Sequence, residues 1–317
     1  MGKSFPYTEE AKADLWTVLW EDDKGTYPIG YMLDRVFREL IKVPHFIIGD
    51  VDFNADDRTV KLLRGVDTEP ERTAKLAQLW DHLRKNDTFK LLRGWRNELW
   101  PVYGRDGSLL FSMERVAISI IGAMQYGVHM TAYVRDETAP FGIKVWVPRR
   151  AANKSTFPGM LDNTVAGGLS TGEMPLDCIV REAEEEASLP ADLVRSGAKL
   201  VNVVTYTYVT TEEYMGDGGF VHPECQWLYD LELPEGIVPH PNDGEVQEFK
   251  LYDVDQVAAQ LANGEYKHDC GLIIIDFFIR HGILTEANEP DLKEIQRRIH
   301  REMPFPGPRW DKYLIKV

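Results

Sequence analysis

The chain has 317 residues, 44% of them hydrophobic and 27% charged, with a formal net charge of -15 at pH 7. This length suits two ordinary domains and the composition a soluble globular protein, while the acidic balance argues against non-specific binding along a nucleic-acid backbone. No apolar run approaches the length that spans a bilayer, the opening Met1-Gly2-Lys3-Ser4-Phe5-Pro6 lacks an apolar signal core, and Cys178, Cys225 and Cys270 form no CxxC pair, so free thiols in a reducing, cytoplasmic compartment are expected.

In chain order, residues 10–20 and 28–41 read as two helices, with Leu15, Val18 and Leu19, then Val36, Phe37 and Leu40, at helical spacing. Phe46-Ile47-Ile48 and Val60-Lys61-Leu62-Leu63 read as short strands. Residues 69–86 form a charged helix with Leu76, Leu79, Trp80 and Leu83 on one face, and 112–124 read as another helix. The pattern then changes. Residues 127–134 alternate in strand fashion, 143–147 form a second strand, and further strands are expected at 200–208, 226–233 and 248–251. Helices follow at 254–263 and 272–281, and the stretch holding Pro304, Pro306 and Pro308 reads as an irregular tail. The expected organisation is an N-terminal α/β domain over 1–120, a catalytic domain over 121–285 and a tail over 286–317.

The chemistry is carried by one motif. Gly167 is followed by Glu173, and after seven further residues by Arg181-Glu182-Ala183-Glu184-Glu185-Glu186-Ala187-Ser188-Leu189. Pro175 suits a first helical turn, and 176–187 contain no breaker. On a helix Glu182, Glu185 and Glu186 share a face. Three carboxylates so close repel unless a cation neutralises them, and hard divalent ions, Mg2+ or Mn2+, both do so and grip diphosphate oxygens. Arg181 can pair with Glu185 one turn on. Gly167 and Gly168 permit a tight loop whose carbonyls approach a metal. A glutamate run alone would read as a solvated helix face; the added Gly167, Glu173 and Arg181 at fixed spacing favour the metal site. Upstream, Arg149, Arg150 and Lys154 lie on a strand end and loop leading into the motif, where cations could hold a diphosphate.

This motif resembles the Nudix box, G-x5-E-x7-R-E-U-x-E-E-x-G-U with U a bulky aliphatic. Ser188 stands where the pattern has glycine, at a helix end where glycine relieves positive φ. The resemblance implies a Nudix α/β/α sandwich with a mixed sheet, metal-dependent hydrolysis of a diphosphate linkage, and an arginine that orients a glutamate. The stretches 92–99, 112–115 and 126–133 extend it to the group related to the Nudix domain fused to fungal thiamine pyrophosphokinase, which implies hydrolysis of oxidised or damaged thiamine diphosphate to the monophosphate. The run Arg150-x3-Lys154-x2-Phe157-Pro158-Gly159 is also similar to isopentenyl-diphosphate isomerase. That enzyme has a cysteine after its asparagine-threonine pair, whereas Asn163-Thr164 is followed here by Val165.

Hydrolysis needs in-line attack by water and stabilised phosphoryl charge. Glu182 is one candidate base. Glu245, in Asp243-Gly244-Glu245-Val246, is another; Glu212, Glu213 and Glu224 flank a Gly-rich stretch at 216–219. Trp146, Tyr206, Tyr208, Tyr214, Phe220 and Trp227 are available as ring walls, and His129 reads as a core histidine. A silent diphosphate sensor is the alternative from another class. The N-terminal domain offers no constellation of its own and is expected to act as a scaffold or homodimer contact, with a small diphosphate molecule as the protein's main partner.

Overall fold

A Trp/β-branched run followed by an Asp-Lys turn opens the described chain as a hairpin. The computed structural model describes residues 14–154, 156–211 and 217–307. Strands β1 (Leu15–Asp22) and β2 (Gly25–Leu33) pair antiparallel, with Gly25 at φ 107 closing the turn. Helix α1 (Asp34–Leu40) follows, then the single turn α2 (His45–Ile48), β3 (Asp50–Asn54) and β4 (Thr59–Arg64). The sheet order is β2-β1-β4-β3, with β1 and β4 parallel. Three expectations are corrected here. The part of 10–20 that is described is strand from Leu15 on, because Trp16 and Val18 face the core at a period of 2 and the same Leu15/Val18/Leu19 positions mimic a helical stripe. Of 28–41 only the second half is helical. Phe46-Ile47-Ile48 is not a strand: Pro44 starts a single turn of helix that Gly49, at φ 77, ends.

Helix α3 (Glu69–Lys85) is as expected, entered through a capping box between Thr68 and Glu71, with Leu76, Leu79, Trp80 and Leu83 buried. It packs on the hairpin β5 (Leu99–Tyr103) and β6 (Leu109–Glu114). Residues 112–124 are therefore not one helix. They end β6, pass through a turn at Arg115–Ala117 and form only the short α4 (Ile118–Ile121), which Gly122 closes in the left-handed region. One continuous core joins these elements as far as Ala123 and takes in Phe220 and Val221 from much later in the chain.

The second sheet holds β7 (Gln125–Arg135), β8 (Ile143–Arg150), β9 (Val165–Gly168), β10 (Lys199–Val209), β11 (Val221–Glu232) and β12 (Val246–Asp253), in order β10-β11-β7-β8-β12 with β9 beside β7. It is mixed: β11 and β7 run parallel, the other pairs antiparallel. One face packs Val128, Met130, Cys225 and Trp227 against Cys178, Ile179 and Ala183 of α5 (Pro175–Ala187), with α6 (Ala191–Gly197) alongside. The other packs Val145 and Val147 against Val257 of α7 (Val254–Ala262) and Ile274 and Phe277 of α8 (His268–Arg280). This is the α/β/α sandwich with a mixed sheet. The C-terminal stretch is not wholly irregular, since α9 (Leu292–Ile299) precedes the prolines and Phe305 packs on Tyr31 at 4.9 Å. Among the described residues no helix is long and apolar enough to cross a membrane.

Candidate metal and diphosphate site

The motif helix α5 starts with Pro175 and buries Cys178, Ile179, Ala183 and Ala187, an i, i+4 stripe that presses it on the sheet. Glu182 and Glu186 each precede a member of that stripe, so both are half-buried, whereas Glu184 and Glu185 are exposed. Arg181 gathers the carboxylates. Its Nε and one terminal nitrogen donate to Glu173 at 2.8 and 3.1 Å, and the other terminal nitrogen donates to Glu182 at 2.9 Å and Glu185 at 3.0 Å. A single guanidinium thus ties the glutamate of the loop to two on the helix. Hydrogen bonding to Glu173 raises the Arg181 pKa despite burial.

Burial pushes the Glu182 carboxyl up to about 7, against the pull of Arg181. Burial, with Glu182 and Asp162 nearby, pushes Glu186 well above the carboxylate range, although the Ala166 amide donates to it at 3.1 Å. Gly167 is required by Glu182: a Cβ there would overlap the carboxyl group. Gly168 is required by the N-terminal domain, since a Cβ there would enter the indole of Trp100. Ser188 has φ 54 and ψ 28, so the position that departs from glycine is indeed left-handed.

The upstream cations are already engaged. Arg150 donates to Asp162 at 2.5 Å and to the carbonyls of Phe157 and Thr156 at 3.1 and 3.0 Å, which makes it the clamp of the 150–162 loop. Arg149 donates to the Gly159 carbonyl at 2.7 Å. Lys154 pairs with Glu245, whose carbonyl accepts from the Ala151 amide at 2.9 Å. The charges of Asp162, Glu182 and Glu245 all bear on Glu186, so residues far apart in sequence do meet around this helix. Of the other candidates, Glu212, Glu213 and Tyr214 lie outside the described residues. Glu224 is buried in β11 on the sheet face away from α5, accepting from Tyr206 at 2.7 Å and Gln226 at 2.8 Å. Tyr206, Phe220 and Trp227 are core residues. His129 is a buried core histidine bonded to Asn163 at 2.9 Å, its pKa lowered by burial.

Among the described residues no three carboxylate, imidazole or thiol groups already converge as a ready metal cluster. Arg181 and the Ala166 amide hold the glutamates instead. The donor set nevertheless suits a hard divalent cation: all donors are oxygens, and burial leaves the Glu182 and Glu186 carboxylates undercompensated.

A family model described as the NUDIX domain matches residues 125–270. A Nudix hydrolase of Deinococcus radiodurans is 41% identical over 159 residues, covering 50% of this chain and 72% of that protein. The chain belongs to the Nudix family. The region before it, residues 26–125, matches a domain of unknown function, DUF4743. Both regions of this Nudix chain are present in an uncharacterized protein of Saccharomyces cerevisiae, 33% identical over 282 residues and covering 88% of this chain and 82% of that one. The chloroplastic Nudix hydrolase 20 of Arabidopsis thaliana is 37% identical over 214 residues, covering 67% of this chain, which spans 54% of the plant protein's length.

Three side chains near the box carried no chemistry in the sequence reading. Glu98, Trp100 and Arg115 come from the DUF4743 region and pack against the loop between β9 and α5. Ser170 donates to Glu98 at 3.0 Å, and the Thr171 amide donates to the Leu99 carbonyl at 2.8 Å. Glu98 and Arg115 stand inside the stretches that carry the wider resemblance, but nothing in their spacing links them to the box. Asp162, the partner of Arg150, was equally silent. Burial opposes its ionisation, yet Lys267 and Arg150 hold its carboxyl down at about 2.

Proposed function

We propose that this Nudix hydrolase converts oxidised or damaged thiamine diphosphate to the monophosphate and inorganic phosphate, using Mg2+ or Mn2+. Family membership supports hydrolysis of a diphosphate linkage in general; the thiamine substrate rests on the resemblance of 92–99, 112–115 and 126–133 to the thiamine-linked group. The observation that carries the hydrolase reading is the α5 carboxylate array with Arg181 threaded through it. Glu182, Glu185 and Glu186, with the Gly167 backbone, would hold the metal. The bound ion would supply Lewis-acid polarisation of a phosphoryl oxygen and an activated water.

This chain's own residues then have distinct tasks. Arg181 orients Glu173, Glu182 and Glu185. Arg150 and Lys154 stand upstream of the helix, Arg150 shaping the loop and Lys154 able to leave Glu245 for a phosphate. Glu182, half-buried beside Arg181, is one candidate for the base. Glu245 is the second candidate, and it is ion-paired with Lys154. Val165, which follows Asn163-Thr164, lies in β9 opposite Met130, and the Cys270 thiol nearby is buried and donates to Asp162 at 2.6 Å. Neither supplies the cysteine of the isomerase. Three free, buried cysteines are consistent with a cytoplasmic, reducing setting.

The test is a kcat/KM series in Mg2+ with oxidised thiamine diphosphate, thiamine diphosphate, ADP-ribose, an NDP-sugar and isopentenyl diphosphate. EDTA should abolish turnover. Glu186→Gln should lower kcat a hundredfold or more, roughly 3 kcal/mol of barrier, while Glu184→Gln should match wild type. A tenfold preference for ADP-ribose or the NDP-sugar would remove the thiamine assignment and keep the hydrolase. Full activity in EDTA would remove the metal mechanism.

A further inference from the structure

The DUF4743 region touches the Nudix box around the end of β9 and the start of the following loop, and charged, polar and aromatic side chains take part in the contact. Leu99 of β5 accepts from the Thr171 amide at 2.8 Å, and Ser112 of β6 meets the Thr171 hydroxyl at 2.9 Å, so the hairpin is bonded to the loop between β9 and α5. Trp100 occupies the space that a side chain at Gly168 would need. Its indole nitrogen donates to Glu98 at 2.8 Å. Glu98 also accepts from Ser170 at 3.0 Å and from Arg115 at 3.1 Å. Arg115 in turn lies over the Trp100 ring, its guanidinium carbon 4.8 Å from the ring centre.

Arg115 is therefore held on two sides, by a carboxylate and by an aromatic face that itself packs on Gly168 at the end of β9. That double support lowers the entropy lost when a long side chain engages an anion. One terminal nitrogen is used by Glu98; the other and Nε have no hydrogen-bond partner among the described residues, and the side chain is 38% exposed. Its positive charge bears on Glu182. The cations that the Nudix domain itself places near the box are already paired: Arg181 with three glutamates, Arg150 with Asp162 and two carbonyls, Lys154 with Glu245. A guanidinium with two unengaged nitrogens is suited to two phosphoryl oxygens at once.

We propose that Arg115, held by Glu98 and Trp100, is a diphosphate-binding residue that the DUF4743 region contributes to the Nudix site. This rests on the diphosphate-hydrolase reading above. It turns the N-terminal domain from a scaffold into part of the active site.

The test uses the full chain with Arg115→Met, which keeps the aliphatic stem over Trp100, together with Arg115→Ala and Arg115→Lys. The exposed Arg93→Ala, which breaks only a pair with Asp87, is the reference. Binding of methylenediphosphonate, a diphosphate that resists hydrolysis, is measured by calorimetry in Mg2+, and Mg2+ binding is measured without it. Arg115→Met should weaken methylenediphosphonate tenfold to a hundredfold and raise KM by a similar factor. Its Mg2+ affinity should stay within twofold of wild type. Arg115→Lys should recover part of the loss, and millimolar guanidinium should restore turnover to Arg115→Ala. Methylenediphosphonate binding within twofold of wild type in Arg115→Met would overturn the proposal and leave diphosphate hydrolysis standing. So would a loss of Mg2+ affinity and melting temperature in step, with no rescue by lysine or guanidinium, since that is the mark of a structural part. Failure of the wild-type protein to bind methylenediphosphonate in Mg2+ or to turn over any diphosphate would instead remove the underlying reading.

Discussion

At the scale of single residues, the site works by setting burial against charge. Ser188 ends α5 in the left-handed region, where an L side chain is strained and glycine is not. Ser188→Gly should therefore stabilise the protein by about 1 kcal/mol, read as a higher midpoint in urea, with kcat unchanged; a lower midpoint would mean the serine hydroxyl contributes more than the strain costs. Asp162 gives the opposite kind of test. Its carboxyl is held at about 2, below its ordinary 3.8, by Lys267 and Arg150 against the cost of burial. A depressed acid contributes stability that is complete above its unfolded pKa and is lost as pH falls through the folded one. The contribution, about 2 kcal/mol, should disappear between roughly pH 4 and pH 2. In Asp162→Asn that acid-sensitive increment should be missing, and the protein should already be weaker at pH 7 because the half-buried Arg150 loses its carboxylate partner, while Lys267 keeps Asp269. Equal loss of stability from pH 4 to pH 2 in both proteins would show that Asp162 is not held down by its neighbours.

Elements matter through what they press against the box loop. Helix α5 is local in sequence: helical geometry sets the spacing of its carboxylates, and Arg181 and the Ala166 amide hold them. The β5–β6 hairpin is not, and it reaches the loop between β9 and α5 through Trp100, Glu98 and Leu99. Gly168→Ala should force the indole off the loop. The expected cost is about 1–3 kcal/mol, accompanied by a rise in KM, because Arg115 rests on that same ring. Thermal melts with steady-state kinetics on one preparation would check it. A neutral Gly168→Ala would mean that the hairpin is loosely seated and that the tight fit at Gly168 is unimportant.

At the scale of the molecule, the two domains are not independent cores. Phe220, just before β11 of the Nudix sheet, and Val221, its first residue, are buried in the N-terminal core. Tyr31 of β2 meets Phe305 from the far end of the chain at 4.9 Å. Asp217 accepts from the Leu91 amide at 2.9 Å. Unfolding either domain alone would expose apolar surface of the other. Calorimetry should accordingly show one cooperative transition with equal calorimetric and van't Hoff enthalpies. Two resolved transitions would show that the shared contacts are weaker than the cores they join.

The sequence by itself determined the box: Glu182, Glu185, Glu186 and Arg181 sit within two turns of one helix, so their relative placement follows from the chain's own periodicity. It also specified α3 and the strands at 127–134, 143–147, 200–208, 226–233 and 248–251, but not β9, where Gly167 and Gly168 read as a tight loop and instead pair with β7. It failed where a stripe fits both periods, at Leu15–Leu19, and where a turn interrupts an apolar run, at Arg115–Gly122. Only the tertiary structure decided that Arg150 clamps its own loop through Asp162, that Lys154 meets Glu245, and that Trp100 and Arg115 lie against the box. Those contacts join residues dozens of positions apart, and no local pattern encodes them. They arise when two cores pack together and bring Gly168 of β9 under an indole.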